Sequence, residues 1–543
     1  MGRPLWEDAL EGLVVEHGAR FIIGVPHPTF TTEAFAHTAA QAPAMRRALS
    51  GTRNRLLHML AHDELDKDGD RDVCRECVAV YYDYTHNRTV RVRGAAGGAP
   101  QVEFSNTQPH PSDEEFEAAV ALIRKSEVWG PLLKDGQIRP YRPMPPMLQP
   151  GANPVERTLY VGLVSKPRRF NRIVAVNLIR NMVSPEPVRP QGTLVSEAIC
   201  GPEEEPCLRP RRGSRGTVTI EWPIENPVWR FQAIRPSSSS GINGSGIELR
   251  NVEYQGKRVL KQAHVPILNV NYDDDICGPF RDWMYEETCF QAVGTDIQGA
   301  PGFRWCTEPP QTIFESGVDG GNFTGVAVHE AEDGALQLIT QCWAGWYRYI
   351  HEWRFYPDGT IVPRFRFGGT NNSCVCNVHH HHAYWRFDFD IIDKANRIQE
   401  LVGGEWQTIA KETSRRRTPD TETRWRVLHR SKEIGYEIVP GEHDNYGDDF
   451  SGDDQYVFRY RKGELDDGPL HDHAGHVIDG AQADLGQFLK RQEGVSKQDL
   501  VVWYAGHFRH NTEDEDEHLH EVGPTLVPIN WPEPKSRDGK RNR

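Results

Sequence analysis

The chain has 543 residues, 38% of them hydrophobic, and a formal net charge of −14. That is a globular composition with room for several domains, and its acidic balance argues against nucleic acid as a partner. No apolar run approaches membrane-spanning length, so no membrane segment is expected.

The N-terminus lacks a basic segment followed by an apolar core, so no secretory signal is read and a cytoplasmic location is expected. Ten cysteines in this length are not read as a disulfide framework. Residues 53–65 are expected to be helical, with Leu56, Leu57, Met59 and Leu60 on or near one face. Cys74-Arg-Glu-Cys77 is a lone C-x-x-C without the second pair that a zinc site needs. Residues 77–84 and 89–93 read as a hairpin turning at His86-Asn87. Ser112-Asp-Glu-Glu115 is a capping box, and Phe116, Val120 and Ile123 repeat behind it at helical spacing, so a helix runs to about Lys125. Residues 157–163 and 171–179 are strand-like. Two small α+β units, 1–105 and 106–182, are therefore expected ahead of the main domain.

Residues 183–216, rich in Pro, Arg and Glu, read as a linker whose Cys200 and Cys207 either pair or stay as thiols. From Thr217 to about Trp531 short strands alternate with Gly, Pro, Asn and Asp turns, which predicts a large antiparallel β-sandwich over 217–543. The final Lys540-Arg541-Asn542-Arg543 reads as a solvated tail.

The chemistry concentrates between Cys342 and Asp390. A strand with a tyrosine in its middle, Trp346-Tyr347-Arg348-Tyr349, leads to a tight Asp358-Gly359 turn. A return strand, Cys374-Val-Cys376 and the run His379-His380-His381-His382 follow, and the last strand ends in Asp388 and Asp390. Side chains alternate faces on a strand, so His379 and His381 share one face and His380 and His382 the other. Such a His-x-His pair offers two imidazoles to one copper or zinc ion. The plain alternative is a surface polyhistidine stretch; an internal run leading into an aromatic strand is no expression tag. A third imidazole is available in Asp499-Leu-Val-Val-Trp503-Tyr-Ala-Gly-His507-Phe-Arg-His510, where His507 and His510 lie beyond a buried strand.

Together these segments resemble the copper-containing amine oxidases, which build a quinone from one of their own tyrosines. Tyr347 stands eleven residues before Asp358-Gly-Thr-Ile361. His379 and His381 precede Arg386-Phe-Asp388-Phe-Asp390 at the family spacing, and His510 is seven after Trp503. The resemblance implies small α+β domains before a β-sandwich catalytic domain, copper on His379, His381 and His510, and topaquinone from Tyr347. It selects His379 and His381 over His380 and His382, and His510 over His507. Tyr272, in Ile267-Leu-Asn-Val-Asn-Tyr272, corresponds to the tyrosine that hydrogen-bonds the quinone. The catalytic base falls fourteen residues later, on Glu286 or its neighbour Glu287; the bland reading is a pair of exposed glutamates. Cys289 and Cys306 lie where the family has a disulfide.

The implied reaction condenses the quinone with a primary amine, removes the α-proton with the carboxylate, and releases an aldehyde. O2 then reoxidises the cofactor, giving hydrogen peroxide and ammonia. Asp388, Asp390 and Asp499 correspond to a peripheral site for calcium or another divalent ion, although exposed acids at strand ends are the alternative. A homodimer is implied. The segment between Arg366-Phe-Gly368 and His379 is shorter than in the family; there Cys374 and Cys376 are either buried thiols or part of a separate Cys/His site. The acidic run 513–517 reads as a solvated loop. The main departures flank the tyrosine: Trp346 replaces an Asn, and Arg348 replaces an acid and is expected to reverse the local charge. Two further readings stay open: a copper enzyme of specialised metabolism with an unmodified Tyr347, and a copper-binding relative without catalysis.

Overall fold

The structure, a computed structural model, describes residues 13–23, 32–62, 76–95, 99–106, 108–143, 155–165, 171–187, 200–205, 207, 209–210, 212, 214, 216–273, 277, 279–370, 372–421, 424–467, 482–511 and 521–532. Cys74, the acidic run 513–517 and the basic tail lie outside the described residues.

Two antiparallel four-stranded sheets form the N-terminal units. The first contains the strands Asn54–His62, Glu76–Asp83, Arg88–Ala95 and Gln101–Ser105, with helices Thr32–Gln41 and Pro43–Leu49 packed on it. Of residues 53–65, expected to be helical, 63–65 lie outside the described residues and 54–62 form a strand. Its leucines pair across the ladder with the apolar Glu76–Asp83 strand, and a bulge between Leu56 and His58 breaks the alternation into a pattern that mimics helical spacing. The hairpin at 77–93 forms as expected. In the second unit, Ser112 Oγ accepts the Glu115 amide at 3.3 Å and starts helix Asp113–Lys125. The Glu115 carboxylate turns to the buried Arg157 guanidinium and the Tyr84 hydroxyl instead of back to the cap.

The rest of the chain is a sandwich of two large, almost wholly antiparallel sheets enclosing one core. One sheet runs through Thr217–Trp222, Trp229–Ile234, Glu248–Tyr254, Lys257–Tyr272, His379–Phe389, Leu500–His510, Gln455–Arg459 and Thr413–Arg415. Leu13–Glu16 and Arg20–Ile23 extend its far edge, although they lie two hundred residues upstream of the sandwich. The facing sheet contains Val326–Glu330, Leu336–Ala344, Tyr347–Phe355 and Ile361–Gly369. Fold and order match the expected α+β units followed by a β-sandwich, except that residues 13–23, expected in the first unit, pair into a sandwich sheet.

Among the described residues, three disulfides overturn the expectation of no framework. They join Cys200 to Cys376, Cys207 to Cys289, and Cys277 to Cys374. Cys289 thus pairs with Cys207, not with Cys306, which stays a buried thiol. Cys200 and Cys207 pair separately rather than with each other. Cys374 and Cys376 are neither thiols nor metal ligands: two disulfides pin the short helix Ser373–Cys376 that connects the facing sheet to the histidine strand.

Candidate metal and tyrosine site

Register brings the site together. Strand His379–Phe389 lies between Lys257–Tyr272 and Leu500–His510, and the ladders set Tyr272 and His510 directly opposite His379 on either side. Directly opposed residues share a face, so three segments separated by more than a hundred residues deliver side chains to one spot. By alternation His381 joins them; the odd-numbered side chains of this strand, on through Trp385, Phe387 and Phe389, enter the core between the sheets.

The three imidazoles are close. The His379 ring centroid lies 4.8 Å from that of His381 and 4.7 Å from that of His510. Phe367 stands 4.6 Å from His381, and Phe508 stacks on the same ring at 4.7 Å, so aromatic walls exclude water. His379 Nδ1 donates to the Asn377 carbonyl at 2.6 Å. That bond fixes the tautomer and puts the lone pair on Nε2, the kind of support found behind metal-bound histidines. Three close imidazoles, His379 and His381 buried and His510 half-buried, one so oriented, suit copper or zinc.

Tyr347 comes from the facing sheet. It begins strand Tyr347–Phe355 rather than sitting mid-strand, because Gly345-Trp346 forms the two-residue turn from Leu336–Ala344. Gly345 has φ +60°, the first-position geometry that such a hairpin needs. Trp346, in place of the family's Asn, is therefore a turn residue; its buried indole lies edge-on to Tyr347 at 6.0 Å. The Tyr347 ring is 5.0 Å from His381 and 5.6 Å from His379, and its hydroxyl is hydrogen-bonded to that of Tyr272. Burial, and then the neighbouring Tyr272, push the Tyr347 phenol well above the ordinary tyrosine range. Proton removal here needs a cation close by.

Arg348 does not reverse the local charge as expected. It is buried in a two-pronged pair with Asp319, Nε to Oδ1 at 2.7 Å and Nη2 to Oδ2 at 2.8 Å, so its charge is neutralised.

The two expected glutamates go to different places. Glu287 is wholly buried and bound to Arg235 and to the Ser237 amide, an arrangement that ties both oxygens to structure. Glu286 faces Arg142 at 3.5 Å and accepts from the Trp283 indole at 3.4 Å; burial raises its pKa against the pull of Arg142 and Arg209.

A third carboxyl, Asp282, comes nearest the tyrosines. It accepts the Tyr349 hydroxyl on Oδ2, and the Tyr349 ring lies 5.6 Å from both Tyr347 and His381. Asp282 Oδ1 is buried without a hydrogen-bond partner, and burial raises the carboxyl pKa to about 8. Sequence reasoning missed Asp282, which falls ten residues after Tyr272 rather than fourteen. The short strand Phe280–Arg281 pairs back onto Asn269 and Val270 and swings it inward. No local sequence signal announces that pairing.

Asp388, Asp390 and Asp499 converge, with carboxylate oxygens within 4.8 Å of one another. Their parity places Asp388 and Asp390 away from the imidazoles. Three acids at such range suit a hard cation with oxygen ligands.

No protein-family model and no curated protein sequence matches the chain. Solved structures do. A copper-containing benzylamine oxidase from Hansenula polymorpha superposes with TM-score 0.59 over 92% of this chain and 97% of its own, at 13% identity. An Aspergillus nidulans amine oxidase gives TM-score 0.57 at 13% identity, covering 94% of this chain and 89% of its own. Lysyl oxidase from Pichia pastoris gives 0.56 at 12% identity, covering 88% of this chain and 85% of its own. The chain has the copper amine oxidase fold across nearly its whole length.

Proposed function

We propose that this protein is a copper-dependent oxidase that converts a primary amine and O2 to an aldehyde, ammonia and hydrogen peroxide, with Tyr347 as the precursor of a quinone cofactor. The observation that carries this reading is the meeting of the buried Tyr347, Tyr272, His379 and His381 with the half-buried His510. The residues fit the metal: His379, His381 and His510 would hold copper. When bound, copper and the quinone supply the electron-transfer and O2 chemistry that side chains lack.

The chain's own residues bind, orient and move protons. The Tyr272 hydroxyl holds the oxygen of Tyr347 in place. Asp282 Oδ1 takes the substrate's α-proton, and a carboxyl titrating near neutrality suits a general base better than one locked in an ion pair. Glu286, chosen by the family spacing, is the alternative base. Phe367, Phe508 and Trp346 keep the pocket dry. In the same reading Asp388, Asp390 and Asp499 hold calcium or another divalent ion, and the chain works as a homodimer. The three disulfides favour an oxidising compartment over the cytoplasm expected from the N-terminal sequence.

Phenylhydrazine labelling of copper-loaded, aerated protein, followed by peptide mass spectrometry, tests the proposal. An adduct on the Tyr347 peptide is the expected result. Trp346 in the turn favours one other reading, copper chemistry with an unmodified tyrosine; full copper occupancy without an adduct would select it. Among the described residues no helix is long and apolar enough to cross a membrane.

A further inference from the structure

The reverse face of the histidine strand carries a second cluster, which the copper chemistry does not use. Register builds it as it builds the first. His382 lies directly opposite His507 in the ladder with Leu500–His510, and the two Nδ1 atoms are 2.8 Å apart. His507 Nε2 lies 3.0 Å from Asp454 Oδ1. His382 Nε2 is buried, has no hydrogen-bond partner, and points toward Asp448 Oδ2 at 3.6 Å. From the same strand, His380 Nδ1 reaches the same Asp448 oxygen at 3.8 Å, while its Nε2 lies 2.9 Å from Asp273 Oδ1. The other Asp448 oxygen, Oδ1, already accepts the Phe450 and Ser451 amides at 2.9 and 2.8 Å.

The hydrogen bonds decide the tautomers. A neutral imidazole has one N–H and one lone pair. Asp454 Oδ1 lies 3.0 Å from His507 Nε2 without hydrogen-bond alignment, and its negative charge draws the His507 proton to Nε2, so Nδ1 accepts. His382 must then donate from Nδ1, which leaves the lone pair on Nε2. The opposite assignment would set a His507 lone pair against the Asp454 carboxylate at 3.0 Å. In the same way Asp273 draws the His380 proton to Nε2 and leaves the lone pair on Nδ1. The two imidazole lone pairs thus both face one carboxylate oxygen, Asp448 Oδ2, at 3.6 and 3.8 Å, a repulsive arrangement that a cation would relieve. Each imidazole is backed by an acid or an acid–histidine relay, the support expected behind metal ligands.

We propose that His380 Nδ1, His382 Nε2 and Asp448 Oδ2 form a second transition-metal site on the reverse face of the histidine strand, taking a divalent ion of the zinc or copper(II) kind. Two histidines and a carboxylate match the ligand preference of such ions. Tetrahedral coordination sets neighbouring ligand atoms about 3.4 Å apart, close to the 3.6 and 3.8 Å that separate Asp448 Oδ2 from the two imidazole nitrogens; binding then requires the two imidazoles to turn toward each other. His380 and Asp448 are 26% and 30% exposed, which leaves a path for the ion and a coordination position for water.

The test is metal counting on the chelator-stripped full chain, dialysed against zinc(II) with calcium present to saturate the carboxylate trio. Wild type is expected to retain about two zinc ions, and His510→Gln, Asp448→Asn and His380→Gln about one each. Asp448→Asn is expected to weaken the reverse-face ion by at least about tenfold. His380 is part-exposed, so His380→Gln tests the site even where another variant fails to fold. In crystals of the zinc-loaded protein, an anomalous peak is expected between His380, His382 and Asp448. Wild-type zinc content and affinity in both Asp448→Asn and His380→Gln, or a peak on His380 alone as an adventitious ion, would overturn the proposal. The His510→Gln arm reports separately on the Tyr347-side site.

Discussion

The Tyr349 hydroxyl donates to the carboxyl of Asp282, and both groups are buried beside Tyr347 and His381. This contact gives the pocket a carboxyl whose pKa of about 8 comes from burial, only partly offset by the Tyr349 hydrogen bond and by Arg281. Asp282→Asn is expected to lower the amine-dependent rate by about 10²–10⁴-fold while copper content stays at the wild-type level. A rate unchanged in Asp282→Asn but lost in Glu286→Gln would move the base to Glu286.

The same carboxyl makes a pH prediction. A carboxyl raised from its usual value near 3.8 to about 8 stays protonated in the folded chain after it has ionised in the unfolded one. Between those values the folded state binds more protons, so its contribution falls as pH rises, and the loss is complete above about 8. Asp282→Asn is expected to flatten that fall. Chemical denaturation of the copper-free chain at stepped pH measures it, and a slope identical to wild type would reject the assignment.

Copper retention is expected to depend on all three imidazoles. His379→Ala, His381→Ala and His510→Ala should each lower bound copper and abolish phenylhydrazine labelling of Tyr347. Tyr347→Phe should abolish labelling but keep the metal. Elemental analysis beside peptide mass spectrometry separates the two outcomes.

The disulfides Cys200–Cys376 and Cys277–Cys374 hold the segment that leads into His379, and Asn377 in that segment fixes the His379 ring. Cys376→Ser is expected to destabilise the fold by about 2–4 kcal/mol and to weaken copper binding. Calorimetry with and without reductant, paired with copper titration, reads both; a melting transition untouched by reductant would contradict it.

In the second N-terminal unit, Arg157 and Glu115 are a fully buried pair that also engages Tyr84. Glu115→Gln would leave the guanidinium without its countercharge and cost about 3–5 kcal/mol. Burial alone would raise the Glu115 pKa, but Arg157 outweighs it and the net shift is downward. The pair's contribution is therefore present at neutral pH and lost as pH falls through the lowered pKa. Urea unfolding of wild type and Glu115→Gln at neutral and acidic pH should show the difference shrinking in acid.

Much was legible in the sequence because it is local or periodic. Alternation separated His379 and His381 from His380 and His382, and turn residues such as Asp358-Gly359 marked the sandwich hairpins. The motif spacing picked out Tyr347, Tyr272 and the histidine segments that ladder register does bring together. What spacing could not reach is set by partners far along the chain. The helical reading of 54–62 fails because only its pairing with 76–83 shows that a bulge disturbs its alternation. The reading of Arg348 as a bare charge fails because its partner Asp319 lies 29 residues away in sequence. Cysteine pairing, the inward swing of Asp282 and the lone pairs facing Asp448 likewise depend on which strands are neighbours. The sequence by itself determined which side chains share a face of a strand, because the side-chain period of a strand is local. The tertiary structure alone decided what each face meets, because burial, ion pairing and ladder register are set by residues tens to hundreds of positions away.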